Sequence, residues 1–319
     1  MTHPPFNIAR PAGRWVPLVL DSPHSGTRYP DDFRPAVSSE LLRQAEDSYV
    51  DELYASGPDL GATLITAQFP RSYIDPNRSF LDIDAALLDA PWPGPAIASR
   101  KTELGIGLIW RVLDTGQAIY DRKLSVAEVK ERIVAYHQPY QRALKDAMDA
   151  AHEHFGAVWH LNLHSMPAVS GNVSEEGPGK PRADFVLGDR DGSTCDAEFT
   201  ELIARALRAM GYQVKINDPY KGVELVRAFS DPKARRHSLQ IEVNRRLYMD
   251  EGTREKSPGF DSLRRNLDTL LGSVAQYAEQ GGSHSCAAHG HGHPHDHDHS
   301  HDHGHSHDHG HGPGHGHKH

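Results

Sequence analysis

The chain has 319 residues, of which 37% are hydrophobic and 24% charged, and its formal net charge is −9 at pH 7. This length suits one large α/β domain or two small ones, and the negative charge excludes a general attraction to nucleic acid or anionic lipid. No apolar run approaches the roughly 20 residues of a membrane helix. Because residues 1–15 lack the apolar core of a signal peptide, we expect a cytoplasmic protein.

Strand-like and helix-like segments alternate along the chain. Short apolar runs predict strands over residues 15–21, 62–67, 157–164, 184–188, 212–216 and 238–244. Apolar residues at helical spacing predict helices over residues 39–56, 125–154, 196–210 and 261–277. The second of these helices is either continuous or broken near Pro139. The alternation predicts a single-domain α/β fold whose mostly parallel mixed sheet is covered on both faces, with chemistry at the carboxyl ends of the strands.

The composition changes at residue 279. Residues 284–319 contain 16 of the 24 histidines, interleaved with Gly, Asp and Ser, and cannot supply a hydrophobic core. We therefore expect a catalytic domain over residues 1–278 and a disordered His-rich tail over residues 279–319. An added purification tag is the alternative, but the interleaving favours a native segment. Imidazoles and carboxylates bind zinc, nickel or cobalt, so the tail is predicted to hold additional metal ions weakly.

Two histidines follow predicted strands. His24 lies in a polar turn after the first strand, and His164 ends the strand predicted over residues 157–164. Each could simply bond to its own loop, but two strand-end histidines together suit zinc, which usually takes a further His or a carboxylate. The helix predicted over residues 39–56 offers four acidic candidates, which the residues alone do not distinguish. They are Glu46, Asp47, Asp51 and Glu52.

A short polar segment carries two arginines, Arg71 and Arg78, on either side of Asp75 and Asn77. Guanidinium groups bind carboxylates through paired hydrogen bonds, so two of them suit a dicarboxylic substrate. A structural bridge from Arg78 to Asp75 is the alternative. Arg227 adds positive charge near the last predicted strand and is a further candidate for substrate binding.

Glu242 lies inside the last predicted strand, among apolar residues. Burying a carboxylate is costly unless it is paired or used in chemistry. Beside a zinc-bound water it would act as a general base and then as a proton donor. An ion pair with Arg245 or Arg246 is the alternative.

Several motifs, in this order along the chain, resemble those of the N-formylglutamate amidohydrolase family. They are Ser22-Pro-His-Ser-Gly26, Asp47 ahead of Leu53-Tyr54, Arg71 with Asp75-Pro-Asn-Arg78, Leu163-His-Ser-Met166, Leu187-Gly-Asp-Arg190 followed by Cys195, Tyr220-Lys-Gly222, and Glu242-Val-Asn-Arg-Arg-Leu-Tyr-Met249. The resemblance extends from about residue 15 to residue 250. It implies an α/β phosphorylase/hydrolase-like sandwich and the release of formate from N-formyl-L-glutamate in histidine breakdown.

The resemblance also implies roles by position. His24, Asp47 and His164 take the places of ligands to Zn²⁺ or another divalent transition metal, and Glu242 takes the place of the acid that activates water. The residues that fall where a substrate carboxylate is held are Arg71, Asn77 and Arg78.

Residues 80–117 are expected to include a divergent substrate loop. Two alternatives stay open at this point. One is a deacylase or carboxypeptidase-like hydrolase of other N-acyl amino acids. The other is a metal-storage or metal-delivery protein with a degenerate hydrolase body.

Overall fold

The computed structural model describes residues 4–282. Residues 1–3 and the predicted tail from residue 283 onward lie outside this range. Seven strands form one sheet within it. They are β1 (Phe6–Ala9), β2 (Leu18–Ser22), β3 (Thr63–Ala67), β4 (Val158–Met166), β5 (Phe185–Gly188), β6 (Val214–Ile216) and β7 (Arg236–Asn244).

The strand order in the sheet is β1-β3-β2-β4-β7-β5-β6. Strands β3, β2, β4 and β7 run parallel to one another, whereas β1 and β5 pair antiparallel with β3 and β7. At the far edge β6 pairs parallel with β5. This arrangement confirms the predicted α/β fold with a mostly parallel mixed sheet. The central pair, β4 and β7, is buried along almost its whole length.

Helices cover both faces of the sheet. Within the described residues they are α1 (Ser39–Leu42), α2 (Val50–Leu53), α3 (Arg100–Glu103), α4 (Val126–Arg132), α5 (Gln138–Phe155), α6 (Ala197–Ala209), α7 (Glu224–Ala228) and α8 (Phe260–Glu279). Because successive side chains of a strand point to opposite faces, Leu18 and Leu20 of β2 join the core beneath α6 and α8. Val19 joins the core beneath α5 on the other face.

The prediction of one helix over residues 39–56 is wrong. The chain forms only the four-residue helices α1 and α2, separated by a 3-10 turn at Arg43–Ala45 and an irregular segment. Tyr49, just before α2, has a φ of 65°, a left-handed conformation that a right-handed helix does not allow. Asp47 therefore lies on the irregular segment, where its N–H donates to the carbonyl oxygen of His24 at 3.0 Å.

The helix predicted over residues 125–154 is continuous rather than broken. A single π-helical turn, Ile133–His137, joins α4 to α5. Pro139 follows this turn within the first positions of α5, and the wider turn relieves the clash between a proline ring and the carbonyl group four residues earlier. The sequence did not predict β1, α3 or α7, which are all five residues or shorter.

Within residues 4–282, no helix is long and apolar enough to cross a bilayer.

Candidate active site

The carboxyl ends of the central parallel strands bring the predicted site residues together. β2 ends at Ser22, and the turn that follows carries His24. β4 carries His164 near its end, and in the register of β4 with β7 the neighbour of His164 is Glu242. Side chains from chain positions far apart thus meet at one edge of the sheet, as expected for parallel strands.

His24, Asp47 and His164 form a buried cluster in which one ligand atom of each residue lies within 4.8 Å of the others. Oδ2 of Asp47 lies 3.3 Å from Nδ1 of His24 and 3.1 Å from Nδ1 of His164. The two Nδ1 atoms are 3.0 Å apart. Of the four acidic candidates in residues 46–52, Asp47 is therefore the one that joins the two histidines.

Hydrogen bonds on the far side of each ring fix its orientation. Nε2 of His24 lies 2.7 Å from Oδ1 of Asp75, and Nε2 of His164 lies 2.7 Å from Oδ1 of Asn162. Since both partner atoms are acceptors, each neutral ring carries its proton on Nε2 and turns an unprotonated Nδ1 toward Asp47.

This donor set fits a divalent metal ion. Two nitrogen lone pairs and a carboxylate oxygen face one another, and a cation between them would remove their mutual repulsion. Zinc bound tetrahedrally at about 2.0–2.1 Å separates its nitrogen and oxygen ligands by about 3.3 Å. The three separations in the cluster, from 3.0 to 3.3 Å, are close to that value.

Two arginines hold Asp47 in place. Nη2 of Arg245 donates to Oδ1 of Asp47 at 3.0 Å, and Nη1 of Arg71 lies 3.7 Å from the same oxygen. Burial alone would raise the pKa of Asp47, but hydrogen bonds with His164 and His24 and the charge of Arg71 hold that pKa well below its usual value. Asp47 is therefore ionised, as a metal ligand must be.

The segment from Arg71 to Arg78 supports the cluster from one side. Arg71 donates through Nε and Nη2 to Asp75, and Arg78 donates to the carbonyl oxygens of Ile106 and Asn77. Nη1 of Arg78 also lies 3.6 Å from Asp75, so the structural bridge considered from the sequence is present. Burial would raise the pKa of Asp75, but the charges of Arg78 and Arg71 and the hydrogen bond from His24 keep it well below its usual value.

Asn77 is held on both ends of its side-chain amide. Its Oδ1 accepts a hydrogen bond from the N–H of Leu225 at 2.9 Å. Its Nδ2 lies 3.5 Å from Oδ1 of Asn162 and 3.2 Å from Nε2 of His164. The side chain of Asn77 therefore packs against His164 and Asn162 and helps to hold them in position.

Glu242 pairs with neither of the arginines considered from the sequence. Arg245 bonds to Asp47, and Arg246 bonds to Asp184. Instead, Oε1 of Glu242 accepts a hydrogen bond from Nε2 of Gln240 at 2.9 Å. Burial raises the pKa of Glu242, an effect that Asp47 reinforces and His164 opposes. A buried carboxylate with a raised pKa can both accept and return a proton.

These side chains line a cavity of about 480 Å³. His24, Asp47, His164 and Glu242 lie together on its wall, as do Arg71, Asn77 and Arg78. The cavity is also rich in basic groups that were not predicted to bind substrate, namely Lys101, Arg182, Arg245 and Arg254. Such a lining suits an anionic small molecule.

Arg227 lies elsewhere. It is exposed, bonds to Glu224 within α7, and borders a neighbouring cavity of about 520 Å³. The structure therefore does not bring Arg227 to the cavity that contains His24 and His164.

The sequence profile of the N-formylglutamate amidohydrolase family matches residues 16–249. The chain belongs to this family. It is 29% identical over 240 residues to the N-formylglutamate deformylase of Pseudomonas putida, an alignment that covers 74% of this chain and 83% of that protein. A deformylase of the same name from Pseudomonas aeruginosa is also 29% identical, over 244 residues. The family resemblance of the motifs is thereby confirmed.

Solved structures agree with this assignment. The crystal structure of N-formylglutamate amidohydrolase from Ralstonia eutropha JMP134 is 53% identical in sequence, with a TM-score of 0.83, and covers 87% of this chain and 99% of that one. A protein from Agrobacterium tumefaciens shares the fold at 17% identity, with a TM-score of 0.62 over 86% of this chain and 96% of that one. The chain is thus a hydrolase of the N-formylglutamate amidohydrolase family, with an α/β fold.

The sequence alone did not assign the roles of some residues in this site. Asp75 was considered only as a partner of Arg78, although it also orients His24. The alternation along β4 does place Asn162 on the same face as His164, but its contact with His164 depends on side-chain geometry. Lys101 falls within residues 80–117, where a substrate loop was expected, and no motif distinguishes it there.

Proposed function

We propose that this protein hydrolyses the amide bond of N-formyl-L-glutamate, giving formate and L-glutamate, with zinc or another divalent metal ion bound by His24, Asp47 and His164. The observation that carries this proposal is the convergence of two Nδ1 atoms and one carboxylate oxygen beside Glu242, inside a cavity rich in basic groups. Family membership supports the choice of an N-formyl amino acid as substrate.

A bound divalent metal supplies two effects, since it polarises a carbonyl oxygen and lowers the pKa of a water molecule toward about 7. Glu242 accepts the proton of the attacking water, and its raised pKa suits this transfer. As the carbon–nitrogen bond breaks, Glu242 returns the proton to the departing amine. The products are then a carboxylic acid and a free amino group, so atoms and charge balance.

In this proposal Arg71 stabilises the negative charge that develops on the carbonyl oxygen. Its Nε and Nη2 are bonded to Asp75, whereas its Nη1 makes no hydrogen bond within residues 4–282 and faces Asp47 at 3.7 Å. The ring of Trp110 lies 4.8 Å from the Arg71 guanidinium carbon and restricts its movement. A fixed donor of this kind costs little reorganisation during the reaction.

We further propose that the α-carboxylate of the substrate is held at Arg78, which Asn77 positions by accepting a hydrogen bond from its Nη1 through the backbone carbonyl oxygen, while Arg71 adds positive charge beside it. Nη2 of Arg78 makes no hydrogen bond within the described part of the chain, although Arg78 lines the cavity. Arg227 was predicted to bind substrate as well. From its position at the neighbouring cavity it would act on the approach of an anionic substrate rather than on the bound molecule.

A related function is favoured by the size of the site. A cavity of about 480 Å³ exceeds what a formyl group and one amino acid fill, and it adjoins a second cavity. Hydrolysis of other N-acyl amino acids is therefore the second candidate. We also propose a cytoplasmic location, and weak binding of additional metal ions by the His-rich segment from residue 279.

The test is formate release from N-formyl-L-glutamate by the full-length chain, stripped of metal and reloaded with zinc. His24→Ala, Asp47→Ala and His164→Ala should each abolish activity at zinc concentrations that saturate the wild type. His152→Ala, which alters a partly exposed histidine bonded to the carbonyl oxygen of Ala234, is the matched control and should keep it. Faster hydrolysis of N-acetyl amino acids would favour the second candidate, and full activity without metal would contradict the proposed metal site.

A further inference from the structure

Three neighbouring basic side chains line the cavity: Arg71, Arg78 and Lys101. Asp75 is bonded to the two arginines and also to His24. Lys101 instead pairs with Glu175 at 2.9 Å. Burial lowers the pKa of Lys101, and the charge of Arg78 lowers it further. Asp75, the buried carboxylate of this group, therefore does not balance the positive charge of all three side chains.

The position of Lys101 is fixed by its short helix. Ser99 caps α3 by accepting hydrogen bonds from the N–H groups of Lys101 and Thr102. Asp82 accepts hydrogen bonds from the N–H and hydroxyl groups of Ser99 and from the hydroxyl of Thr102. The Lys101 ammonium group therefore projects from a backbone that is already ordered, which reduces the entropy lost when it binds an anion.

A second set of bonds ties α3 to the arginine segment. The N–H of Ile106 donates to the carbonyl oxygen of Lys101 at 2.9 Å. The carbonyl oxygen of Ile106 accepts a hydrogen bond from Nε of Arg78 at 3.1 Å. Ile106 thus connects Lys101 to Arg78, and these bonds fix the position of one relative to the other.

The partner of Lys101 differs from the partner of the arginines. Asp75 is completely buried, whereas the side chain of Glu175 is 53% exposed and that of Lys101 only 21% exposed. Ion pairs that involve an exposed carboxylate contribute little free energy. A carboxylate that enters the cavity can therefore replace Glu175 at Lys101 at small cost, whereas replacing Asp75 would also break its bond to His24.

Lys101 also lies where the cavity meets the neighbouring one, since it lines both. Arg71 contacts Asp47 directly, but Lys101 makes no contact with His24, Asp47 or His164 in the described residues and lines the neighbouring cavity as well. In an N-acyl amino acid the α-carboxylate is bonded to the carbon next to the reacting nitrogen. The side-chain carboxylate of a glutamate derivative is two carbons further away.

From these observations we propose that Lys101 binds the side-chain carboxylate of the substrate and makes the enzyme selective for N-acyl derivatives of glutamate. Glu175 occupies this position when no substrate is bound. The inference rests on the proposed hydrolase function and adds a residue that determines its specificity. Arg71 and Arg78 remain assigned to the end of the substrate nearer the amide.

The experiment compares Lys101→Met with wild type on N-formyl-L-glutamate and on N-formyl-L-glutamine, which lacks only the side-chain charge. We expect kcat/KM for the glutamate derivative to fall about 10- to 100-fold, mainly through KM, because a charge-assisted hydrogen bond is lost. The value for the glutamine derivative should change less than about threefold. Lys101→Arg should restore part of the loss. Lys145→Met, which removes an exposed lysine paired with Asp149, is the matched control.

Glu175→Gln provides an independent variant in which Lys101 is intact. It should lower KM for the glutamate derivative by up to about fivefold, since an exposed ion pair no longer competes with substrate. An unchanged KM would overturn the role given to Glu175. Equal losses on both substrates in Lys101→Met would overturn the role given to Lys101.

A binding measurement separates this inference from the proposed function. Calorimetry on the full-length protein should show that wild type prefers L-glutamate to L-glutamine and that Lys101→Met loses this preference. If wild type binds L-glutamate selectively but releases no formate, the proposed reaction fails and the assignment of Lys101 stands. If wild type shows no such preference, the assignment of Lys101 fails.

Discussion

The carboxylate of Glu242 differs from the other acids around the metal-ligand cluster. Asp47 and Asp75 are bonded to arginines, whereas Glu242 accepts a hydrogen bond from the neutral amide of Gln240. Burial raises its pKa while the pKa values of the two aspartates are held low. Glu242 can therefore exchange a proton, whereas Asp47 and Asp75 remain ionised. Hydrolysis by an activated water needs both kinds of acid.

For this reason we expect Glu242→Gln to lower kcat by about 10²- to 10⁴-fold. The amide keeps the shape of the side chain but cannot accept a proton, so metal and substrate should still bind. Formate release gives kcat, and calorimetry with L-glutamate gives the binding affinity. Glu201→Gln, at an exposed position of α6, is the control for loss of a carboxylate. Near-normal turnover by Glu242→Gln would place the base elsewhere.

Asn162 fixes the orientation of the His164 ring. Its Oδ1 accepts from Nε2 of His164, and its Nδ2 donates to Oδ1 of Asp21 at 2.7 Å. Because the carboxylate of Asp21 can only accept while ionised, it determines which end of the Asn162 amide faces His164. Asp21, acting through Asn162, thus determines which nitrogen of His164 is free to bind a metal ion.

Replacing Asn162 by Leu should therefore weaken metal binding by about 10- to 100-fold. The side chain remains of similar size, but His164 loses the acceptor that fixes its tautomer. The concentration of buffered free zinc that gives half-maximal activity measures the effect at the catalytic site. Thermal unfolding of the metal-free variant shows whether the fold has changed. An unaltered zinc dependence in a folded variant would mean that His164 is oriented by other contacts.

At the scale of elements, the central strands are joined by a buried row of polar side chains. His160 of β4 bonds to Asp21 of β2 and to Ser238 of β7, and Tyr140 of α5 donates to Asp21 at 2.8 Å. Burial would raise the pKa of Asp21, but the hydrogen bond and charge of His160 and the bonds from Asn162 and Tyr140 lower it. The row thus stabilises the register of the strands that carry the site.

Asp21→Asn should destabilise the protein by about 3–5 kcal/mol, the usual cost of breaking a buried ionic network. Because the pKa of Asp21 is lower in the folded state, its contribution is complete above the usual value of 3.8 and is lost as the pH falls through the folded-state value. The variant should therefore lose less stability than wild type on acidification below about pH 4. Urea unfolding at several pH values measures this, with Tyr140→Phe as a milder control that costs about 1 kcal/mol. Parallel acid sensitivity of wild type and Asp21→Asn would contradict the assignment.

The central strands and helices were predictable because nearby residues in the sequence determine them. Strands buried on both faces produce continuous apolar runs, and α8 shows helical periodicity over its length, from Phe260 to Glu279. The helix predicted over residues 39–56 failed because Arg245 donates to the carbonyl oxygens of Gln44 and Glu46 and to the side chain of Asp47. Contacts from the other end of the chain outweigh local helix propensity there.

The site was predictable to a similar degree. His24, His164 and Glu242 stand at or near strand ends, so the topology brings them together. The choice of Asp47 over Glu46 required the family resemblance, because the sequence pattern does not distinguish two adjacent acids. In the structure Glu46 points to a different partner and accepts a hydrogen bond from Tyr29. Lys101 could not be found from local pattern, since its role depends on the packing of α3 beside Arg78.

At the scale of the whole molecule, the proposed metal ligands and the proposed general base lie within residues 24–242, whereas 16 histidines lie in residues 284–319. We expect truncation after Gly282 to leave activity at saturating zinc unchanged within about twofold. The number of weakly bound metal ions should fall on truncation. In the full-length protein it should also fall between pH 7.5 and 5.5, because imidazoles with pKa values near 6.5 must be neutral to bind metal.

Calorimetric titration of both forms with zinc at the two pH values, with activity measured in parallel, tests this prediction. The tight site should fill first in both forms, because ordering an unstructured chain around an ion costs roughly 1–2 kcal/mol per residue fixed. Loss of activity in the truncated form despite excess zinc would make the C-terminal segment part of the catalytic site.

The metal-ligand cluster also has a consequence for the time course of folding. His24 and His164 are 140 residues apart in the sequence, and Arg245 reaches Asp47 across 198 residues. Contacts between such distant positions form late, because the entropy of closing the intervening loops must be overcome first. A chain whose last central strand has not yet joined the sheet therefore lacks the guanidinium that holds Asp47, so we expect the cluster of His24, Asp47 and His164 to be completed only in one of the final steps of folding.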